Sequence, residues 1–356
     1  MLSIDGSIGE GGGQILRSST TISALTGIPI EVSNIRANRK DSGLKQQHVK
    51  TIQLLSEIFN ICTENVKLGA QWIKFNSTMK EKPDTESKFQ NNTLTMDIGT
   101  AGSIPLLIQS IIPAIAISKR DLKIRLTGGT DVKHSPTIDY VRYVLRDAFL
   151  RIGIVFDLDV QKRGYYPKGQ GIVDIEIKKV SEDLHSIDFC NFKETEPSII
   201  STASNLPRHV PERQIEYAIT TLEKKGIKHF KHKSGLENSS SPGSSILIYS
   251  SSESGIYLGS DAIGEKGRKA ETIGYNAAAR FISNYESRAC IDPNLADMLV
   301  LPLSFVKGTS RFKVSEVTRH LVTNLDLIKV IIDISYKIEK IAEKEYIVTV
   351  KGNPII

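Results

Sequence analysis

The sequence predicts an α+β protein in which one strand–turn–helix–strand plan is repeated along the chain. The passage at residues 5–18 has a weak counterpart at residues 97–110, where an acid and small residues again precede an apolar helix. A third copy is expected to start near Asp297. Each repeat would be a small sheet with helices on one face, which is the arrangement of an α+β module.

The first repeat opens with a glycine-rich loop after a short strand that holds Leu2 and Ile4. Four glycines surround one acid, Glu10, and Arg17 follows within about a turn of the predicted helix. Such a loop can bind an anion, because free amides and the helix dipole both face it. However, the Gly-Lys-Ser/Thr ending of a phosphate loop is absent, and Gln14 stands where the dinucleotide fingerprint needs glycine. The loop alone is either a tight turn, which is slightly favoured, or an unusual nucleotide site.

A basic loop follows the next strand and leads into a second helix from about Lys45. Its basic residues, against the single acid Asp41, are Arg36, Arg39, Lys40, Lys45 and Lys50. Further polar contacts could come from Asn34, Asn38, Gln46, Gln47 and His48. Arginine forks match phosphate oxygens, so these arginines suit a phosphorylated or nucleic-acid ligand. Most charge clusters are only solvated loops, and the two interpretations carry about equal weight.

Two polar passages flank the strands of the second repeat. TGGTDVKHSP covers residues 127–136 and RGYYPKGQG covers residues 163–171. Both are predicted to be turns first and ligand contacts second. Thr130, Asp131 and His134 could face a ligand, although the local pattern does not require it.

The repeated strand–turn–helix–strand pattern is interrupted between about residues 181 and 286. We expect a charged helix from Pro211, a solvated serine-rich spacer, a strand at residues 245–252 and a helix at residues 265–284. Two strands and two helices would make a compact inserted domain. The third repeat then resumes with a helix, a strand, a second helix that holds His320, and a closing strand at residues 345–350.

His320 is the most informative of the seven histidines. It follows a predicted strand and begins a helix whose apolar positions face a core. The positive end of the helix dipole disfavours the imidazolium, so we expect a neutral ring. Neutral imidazole is the nucleophilic form, and histidine can form covalent intermediates. A histidine in such a place is nevertheless more often a structural hydrogen-bonding group than a nucleophile.

Composition sets the broad class. The chain has 356 residues, with 40% hydrophobic and 24% charged residues, which predicts a soluble globular protein large enough for two domains. The formal net charge of +6 is compatible with a polyanionic partner without requiring one. Three widely separated cysteines favour neither a zinc site nor a disulfide framework. No signal segment or apolar span is visible, so the expected location is the cytoplasm, without a membrane partner.

Taken together, the motifs resemble those of the RNA 3′-terminal phosphate cyclase family, as an archaeal-type member of its catalytic branch. The matching passages run in family order over nearly the whole chain: DGSIGEGGGQILRSS, IRANRKDSGLKQQHVK, GTAGSIPLLIQSIIP, GGTDVKHSP, RGYYPKGQG, NLPRHVPERQ, IGEKGRKAE, NLADMLVLP and RHLVTN. The resemblance implies a large domain of three βαβαββ-type modules with an inserted, smaller βαβα domain that is thioredoxin-like. The expected limits are 1–183 for the first two modules, 184–286 for the inserted domain and 287–356 for the third module.

The reaction implied by the resemblance is the ATP-dependent conversion of an RNA 3′-phosphate to a 2′,3′-cyclic phosphate. His320 would form a covalent histidine–AMP adduct, RNA would then be adenylylated, and AMP and pyrophosphate would be released. The enzyme would be a ligase that forms a phosphoric ester bond. RNA 3′-phosphate ends would be its partners, and formation of a homodimer is a possibility.

The resemblance also implies which residues form the site. Glu10 would hold a divalent metal, Mg²⁺ or Mn²⁺. The nucleotide would be contacted by Gln109, Pro136, Asn294, Leu295, Ala296, Asp297 and Met298. The RNA terminal phosphate would be held by Arg17, Arg36, Arg39, Gln47 and His48.

Two positions depart from the family pattern. Asn294 replaces a tyrosine of some members, and an aromatic residue that flanks adenine falls near Asp261, with Tyr257 as the nearest substitute. Two alternatives compete with the catalytic interpretation. A non-catalytic, cyclase-like ribosome-assembly scaffold would lack the histidine at position 320. An enolpyruvyl-type transferase would leave both that histidine and the arginine cluster without a role.

Overall fold

The computed structural model describes residues 1–76, 93–228 and 230–354. Within these ranges the chain forms four four-stranded sheets with helices packed against them, which confirms the α+β class. No helix in the described ranges combines the length and the apolar composition of a membrane span.

The first sheet is formed by the first 76 residues. Its elements are β1 (Leu2–Asp5), α1 (Gly13–Thr26), β2 (Ile30–Ser33), α2 (Gln46–Phe59), β3 (Cys62–Glu64) and β4 (Ile73–Asn76). The strand order is β1-β2-β4-β3, with β1 and β2 parallel and β4 antiparallel to both of its neighbours. The parallel pair requires a crossover, which α1 supplies.

The second sheet repeats this arrangement. Its elements are β5 (Thr93–Asp97), α3 (Ile104–Ile117), β6 (Leu122–Gly128), α4 (Ile138–Tyr140), a π-helical segment (Val141–Leu145), α5 (Arg146–Ile152), β7 (Phe156–Lys162) and β8 (Gly171–Ile177). Strands β5 and β6 are parallel, and β8 is antiparallel to both β6 and β7.

The third sheet contains four strands rather than the two expected. Its elements are β10 (Ser198–Ser204), α6 (His209–Glu223), β11 (Lys231–Leu236), β12 (Gly243–Ser252), β13 (Ile256–Ile263) and α7 (Ala270–Glu286). Strand β11 is an edge strand with a mostly exposed polar sequence, so it lacks the alternation that marks a strand. Helix α7 starts later than residue 265, because Gly267 has a left-handed φ of 84°.

The fourth sheet draws its strands from both sides of the third. Its elements are β9 (Asp188–Phe189), α8 (Pro293–Leu303), β14 (Thr309–Val314), α9 (Arg319–Ile332), β15 (Ser335–Ala342) and β16 (Glu345–Lys351). Strand β9 is parallel to β14, and β16 is antiparallel to β14 and β15, so the pairing matches that of the first two sheets. Strand β15 was not expected from the sequence, because most of its residues are exposed. The domain limits proposed from the resemblance stay a prediction.

Helices from the first, second and fourth sheets share one core. Helix α1 contacts α2, α3 and α9, while α8 contacts α3 and α9. Ile22, Leu107, Leu299 and Leu325 from these helices are all at most 1% exposed. This packing brings together the loops that leave the carboxyl ends of β1, β2, β5, β6 and β14, which is the edge where open α/β sheets bind ligands.

Candidate active site

The glycine-rich loop after β1 is folded tightly against helix α9. Gly9 has a φ of 61°, and a Cβ atom there would overlap the Oγ1 of Thr323. Ser7 donates hydrogen bonds from N and Oγ to Asp5 Oδ1 at 2.9 and 2.7 Å. Asn38 of the basic loop donates to Ser7 O at 3.0 Å. The turn interpretation is therefore correct locally, and the turn fixes the position of Glu10.

Glu10 joins the glycine-rich loop to the basic loop and to α9. Its Oε2 accepts hydrogen bonds from Arg39 Nη2 at 2.7 Å and from His320 Nε2 at 2.9 Å. Its Oε1 is buried and has no hydrogen-bond partner among the described residues. Burial raises the pKa of Glu10, but the hydrogen bond from His320 and the charges of His320, Arg39 and Arg17 outweigh it, so the pKa is lowered. Glu10 is an anion with one oxygen engaged and one unpaired.

His320 is the second residue of α9, after the N-cap Thr318. The Thr318 hydroxyl accepts the Leu321 N–H at 2.9 Å and donates to Asp297 Oδ1 at 2.7 Å. The hydrogen bond to Glu10 raises the pKa of His320, and the negative charges of Glu10 and Asp297 add to this, while burial and Arg17 oppose it. We expected the helix dipole to lower the pKa of His320 and keep its ring neutral. That expectation is wrong, because the nearby carboxylates of Glu10 and Asp297 outweigh the dipole and raise the pKa.

A buried polar network lies behind His320. Asn324 donates from Nδ2 to the Asp297 carbonyl at 3.3 Å and accepts the Ser18 hydroxyl on Oδ1 at 2.6 Å. It therefore links α1, α8 and α9. Burial raises the pKa of Asp297 to about 7, although the Thr318 hydrogen bond and the charge of His320 act in the opposite sense.

The three arginines have different environments. Arg39 is half exposed and contacts Glu10. Arg36 donates from Nη1 to the carbonyls of Asp41 and Gly43 at 2.7 and 2.9 Å, so it also braces its own loop. Arg17 is partly buried and donates to Gln14 Oε1 at 2.7 Å. Burial lowers the pKa of Arg17 to about 10, which leaves it cationic at neutral pH.

Gln47 and His48 lie in the first turn of α2. Gln47 Oε1 accepts the Ser103 N–H at 3.0 Å, which ties the first sheet to the loop after β5. His48 is 4% exposed, and its Nδ1 accepts the Lys45 N–H at 3.0 Å. Burial, followed by the charges of Arg17, Arg36 and Lys45, lowers the pKa of His48 to about 3. His48 is therefore neutral and presents Nε2 as its N–H group.

A small pocket next to this cluster collects further residues named from the sequence. Its lining is Gln14, Arg17, Ser18, Gln109, Ser110, Asp297, Met298 and Leu301. An arginine, two glutamines and a carboxylate thus face one space between α1, α3 and α8. Together with His320 and Glu10 they provide a ring nitrogen, a carboxylate with a free oxygen and several anion-binding groups.

Comparison with known proteins gives the family. The model of the RNA 3′-terminal phosphate cyclases matches residues 8–338. The chain belongs to this family. The RNA 3′-terminal phosphate cyclase of Pyrococcus furiosus is 39% identical over 91% of this chain and 91% of its own length. The protein of that name from Desulfurococcus amylolyticus is 40% identical over 99% of this chain and 98% of its own length.

Among solved structures, the enolpyruvyl transferase NikO from Streptomyces tendae matches with a TM-score of 0.38 and 9% identity. That match covers 99% of this chain and 48% of the other. A score this low supports no statement about fold or activity.

Not every residue named from the cyclase motifs reaches the cluster. Leu295 and Ala296 are fully buried, so their side chains pack in the core. Asn294 is exposed at the start of α8, where its N–H is bound by Asp292. Pro136 lies in the loop after β6, where its carbonyl accepts the Ser135 hydroxyl at 2.9 Å.

The residue suggested as a substitute for the aromatic that flanks adenine does not fit that role. Tyr257 is 2% exposed and packs against Phe189, with 5.2 Å between the ring centroids. Asp261, at the position of the missing aromatic, accepts the Thr137 N–H on Oδ2 at 2.6 Å. Neither side chain is free to stack on a base.

Asp292 was not identified from the sequence. It is 1% exposed and caps α8 by accepting the N–H groups of Asn294 and Leu295. It also accepts the Tyr140 hydroxyl at 2.8 Å and the Gly259 N–H at 2.8 Å, so it joins α8 to the second and third sheets. Burial raises its pKa to about 6. The Asp-Pro pair at a helix start could have revealed it, since aspartate is a preferred N-cap and proline a preferred first residue.

The residues present fit a divalent cation that is held mainly by substrate. Among the described residues, no group of three or more His, Cys, Asp or Glu side chains could hold a metal ion. However, Glu10 Oε1 is a buried oxygen that has no hydrogen-bond partner in the part of the chain that the structure describes. Mg²⁺ typically uses one or two carboxylates, several waters and the phosphates of its substrate, and this single carboxylate matches that pattern.

Proposed function

We propose that this protein converts the 3′-terminal phosphate of an RNA to a 2′,3′-cyclic phosphate in an ATP-dependent reaction, as a ligase. The observation that carries the proposal is the contact between His320 Nε2 and Glu10 Oε2 at 2.9 Å. In this contact the ring of His320, the proposed nucleophile, lies beside a carboxylate that also accepts a hydrogen bond from Arg39. Membership of the cyclase family and relatives that carry that name over nearly their full length support it.

His320 is the proposed nucleophile. A phosphate monoester must be activated because its own leaving group would be oxide. A ring nitrogen of His320 would use its lone pair to form a bond to the α-phosphorus of ATP, while the bond to the β-phosphate oxygen breaks and pyrophosphate leaves. Because the lone pair is needed, the neutral ring is the reactive form.

Two transfers would complete the reaction. An oxygen of the RNA 3′-phosphate attacks the phosphorus of the histidine–AMP adduct, the P–N bond breaks and an RNA-linked pyrophosphate forms. The neighbouring 2′-hydroxyl then attacks the RNA phosphorus, AMP leaves and the hydroxyl proton passes to solvent. The final step is intramolecular, so proximity favours it.

The nucleotide site would lie between α8, α3 and the loop after β6. Gln109, Asp297 and Met298 face one pocket, which supports their assignment to ATP. Pro136 and Asn294 would contact the nucleotide from the rim. Leu295 and Ala296 would shape the site from within α8, since their side chains are buried.

The terminal phosphate of RNA would bind between α1, α2 and the basic loop. Arg17 and Arg39 supply positive charge, and Arg36 would add to it while bracing the loop. Gln47 and the neutral His48 would contribute hydrogen bonds rather than charge. This combination of arginine guanidinium groups and neutral hydrogen-bond donors suits a phosphate with two negative charges.

Glu10 would hold a divalent metal, Mg²⁺ or Mn²⁺, through its unpaired Oε1. When bound, such an ion neutralises phosphate charge and polarises phosphoryl oxygens. Glu10 itself would orient His320 through Oε2. A cytoplasmic location, the three-module domain organisation and a homodimer stay predictions.

The decisive experiment is incubation of the protein with ATP labelled at the α-phosphate and magnesium, followed by denaturing electrophoresis. We expect a label that is labile in acid and stable in alkali, as a phosphoramidate is. The label should disappear in His320→Ala and persist in His232→Ala, a control on the exposed strand β11. An unlabelled wild-type protein would favour the ribosome-assembly scaffold instead.

A further inference from the structure

The RGYYPKGQG loop between β7 and β8 lies at the same sheet edge as the proposed site. Gly171 at its end pairs with Gly128 at the end of β6. Near its start, the carbonyl of Gly164 accepts the Thr130 N–H at 2.8 Å, so the loop starts and finishes beside the loop that follows β6. None of its residues has a part in the reaction described above.

The backbone of this loop is fixed from several sides. Tyr165 is 2% exposed, and its ring lies so close to Gly243 that a Cβ atom there would overlap it. Gly169 donates its N–H to Tyr165 O at 2.8 Å, and Lys168 donates its N–H to Ser241 Oγ at 3.2 Å. Tyr166, at the tip of this turn, is 78% exposed. An aromatic ring is thus presented to solvent on a rigid support.

The loop is continuous with the residues proposed to hold the RNA terminal phosphate. A Cβ atom on Gly169 would lie 2.7 Å from Ala101 Cα, and one on Gly102 would lie 3.3 Å from Gln47 Cβ. Gln47 also accepts the Ser103 N–H at 3.0 Å. One surface therefore runs from Gln47 across the loop after β5 to the turn that carries Tyr166.

This surface is suited to an anionic chain. Lys168 is exposed beside Tyr166, and within the described ranges no carboxylate is paired with its ammonium group. The other basic side chain of the loop, Arg163, is instead buried in contacts with Asp139 and Glu237. Lys168 is therefore free to meet a phosphate of a bound strand.

We propose that Tyr166 stacks on a base upstream of the 3′-terminal nucleotide and that Lys168 contacts a phosphate of the same single-stranded segment. This inference rests on the proposed function, because it uses the position of the terminal phosphate. Every base has a face that can stack on an aromatic ring, so such a subsite tolerates any sequence. The fixed backbone lowers the entropic cost of presenting the ring.

The test compares two substrates that share the terminal phosphate. One is a short single-stranded RNA with a 3′-phosphate, and the other is a nucleoside 3′,5′-bisphosphate, which has no upstream base. Tyr166→Ala should lower kcat/KM for the RNA by about 5- to 100-fold and leave the bisphosphate unaffected. Tyr166→Trp should restore the rate, because tryptophan also stacks. An equal loss for both substrates, or no loss for the RNA, would overturn the proposal.

A matched control is Tyr275→Ala, which removes another exposed tyrosine, 54% exposed on α7. It should leave both substrates unaffected. Binding of a fluorescent 3′-phosphorylated RNA, followed by anisotropy, separates this inference from the proposed function. Weaker binding by Tyr166→Ala in a protein that forms no histidine–AMP adduct would support the stacking site and refute the chemistry. Unchanged binding alongside normal adenylylation would refute only the stacking site.

Discussion

His48 should make the stability of the protein fall as the pH drops below neutrality. In the folded protein burial lowers its pKa to about 3, whereas the unfolded chain takes up a proton near pH 6.5. Below pH 6.5 the unfolded state therefore binds more protons than the folded state, so acid favours unfolding. The contribution of neutral His48 is complete above pH 6.5 and is lost progressively down to about pH 3.

The size of this effect follows from the interval between the two pKa values. At pH 5 the unfolded histidine is about 1.5 pH units below its pKa, and each unit is worth about 1.4 kcal/mol. The free energy of unfolding should therefore fall by about 2 kcal/mol between pH 7 and pH 5 through His48 alone. Protonation of His48 Nδ1 would also remove the hydrogen bond that this atom accepts from the Lys45 N–H.

The assay is urea unfolding at pH 7 and pH 5, in the wild type and in His48→Asn. Asparagine retains an acceptor near Nδ1 and does not titrate, so all other titrating groups cancel in the comparison. The wild type should lose about 2 kcal/mol more than the variant. Identical pH dependence in the two proteins would refute the reasoning and mean that His48 takes up a proton as readily in the folded state as in the unfolded chain.

Two further predictions concern charged side chains. Arg39→Ala should slow transfer of AMP from the labelled protein to a 3′-phosphorylated RNA by about 10- to 100-fold, which is the loss expected for a charged hydrogen bond. Adenylylation should persist, because the contact between His320 and Glu10 is retained. Equal losses in both steps would assign Arg39 to the nucleotide. Arg163→Met should cost about 3–5 kcal/mol in thermal unfolding, because Asp139 and Asp131 stay buried without their partner. Arg125→Met, at an exposed ion pair, should cost far less than Arg163→Met, and a similar loss in both variants would contradict this.

Local sequence patterns predicted the parts of the site that lie at element boundaries. A glycine cluster between a strand and a helix, and a histidine at a helix start, are visible without tertiary information. Glu10 and His320 could be named for that reason. The contact between Glu10 and His320 joins residues about 300 positions apart, and no periodic pattern in the sequence indicates it. The direction of the pKa shift of His320 was missed for the same cause, since it depends on Glu10 and Asp297.

The strands that were missed have a common physical reason. Strand β11 is an edge strand and β15 has few buried side chains, so neither shows an alternating apolar pattern. Strand β9 has two residues and can be recognised as a strand only from its pairing with β14.

Leu295 and Ala296 show the opposite case, in which a sequence motif names residues whose side chains are buried. A motif identifies a segment that belongs to a site, whereas burial decides which of its side chains can touch a ligand.

The split of the fourth sheet has a consequence for the nascent chain. Ile187, next to β9, donates its N–H to the hydroxyl of Ser310, although 123 residues separate them. At about 5–20 residues per second, a ribosome needs many seconds to supply that partner after β9 has been made. The first three sheets can fold during this interval, but α9, which carries His320, is made only after β14. The protein therefore gains its proposed nucleophile only after the strands of the first three sheets have been made, so a chain that stops before α9 cannot consume ATP through that residue.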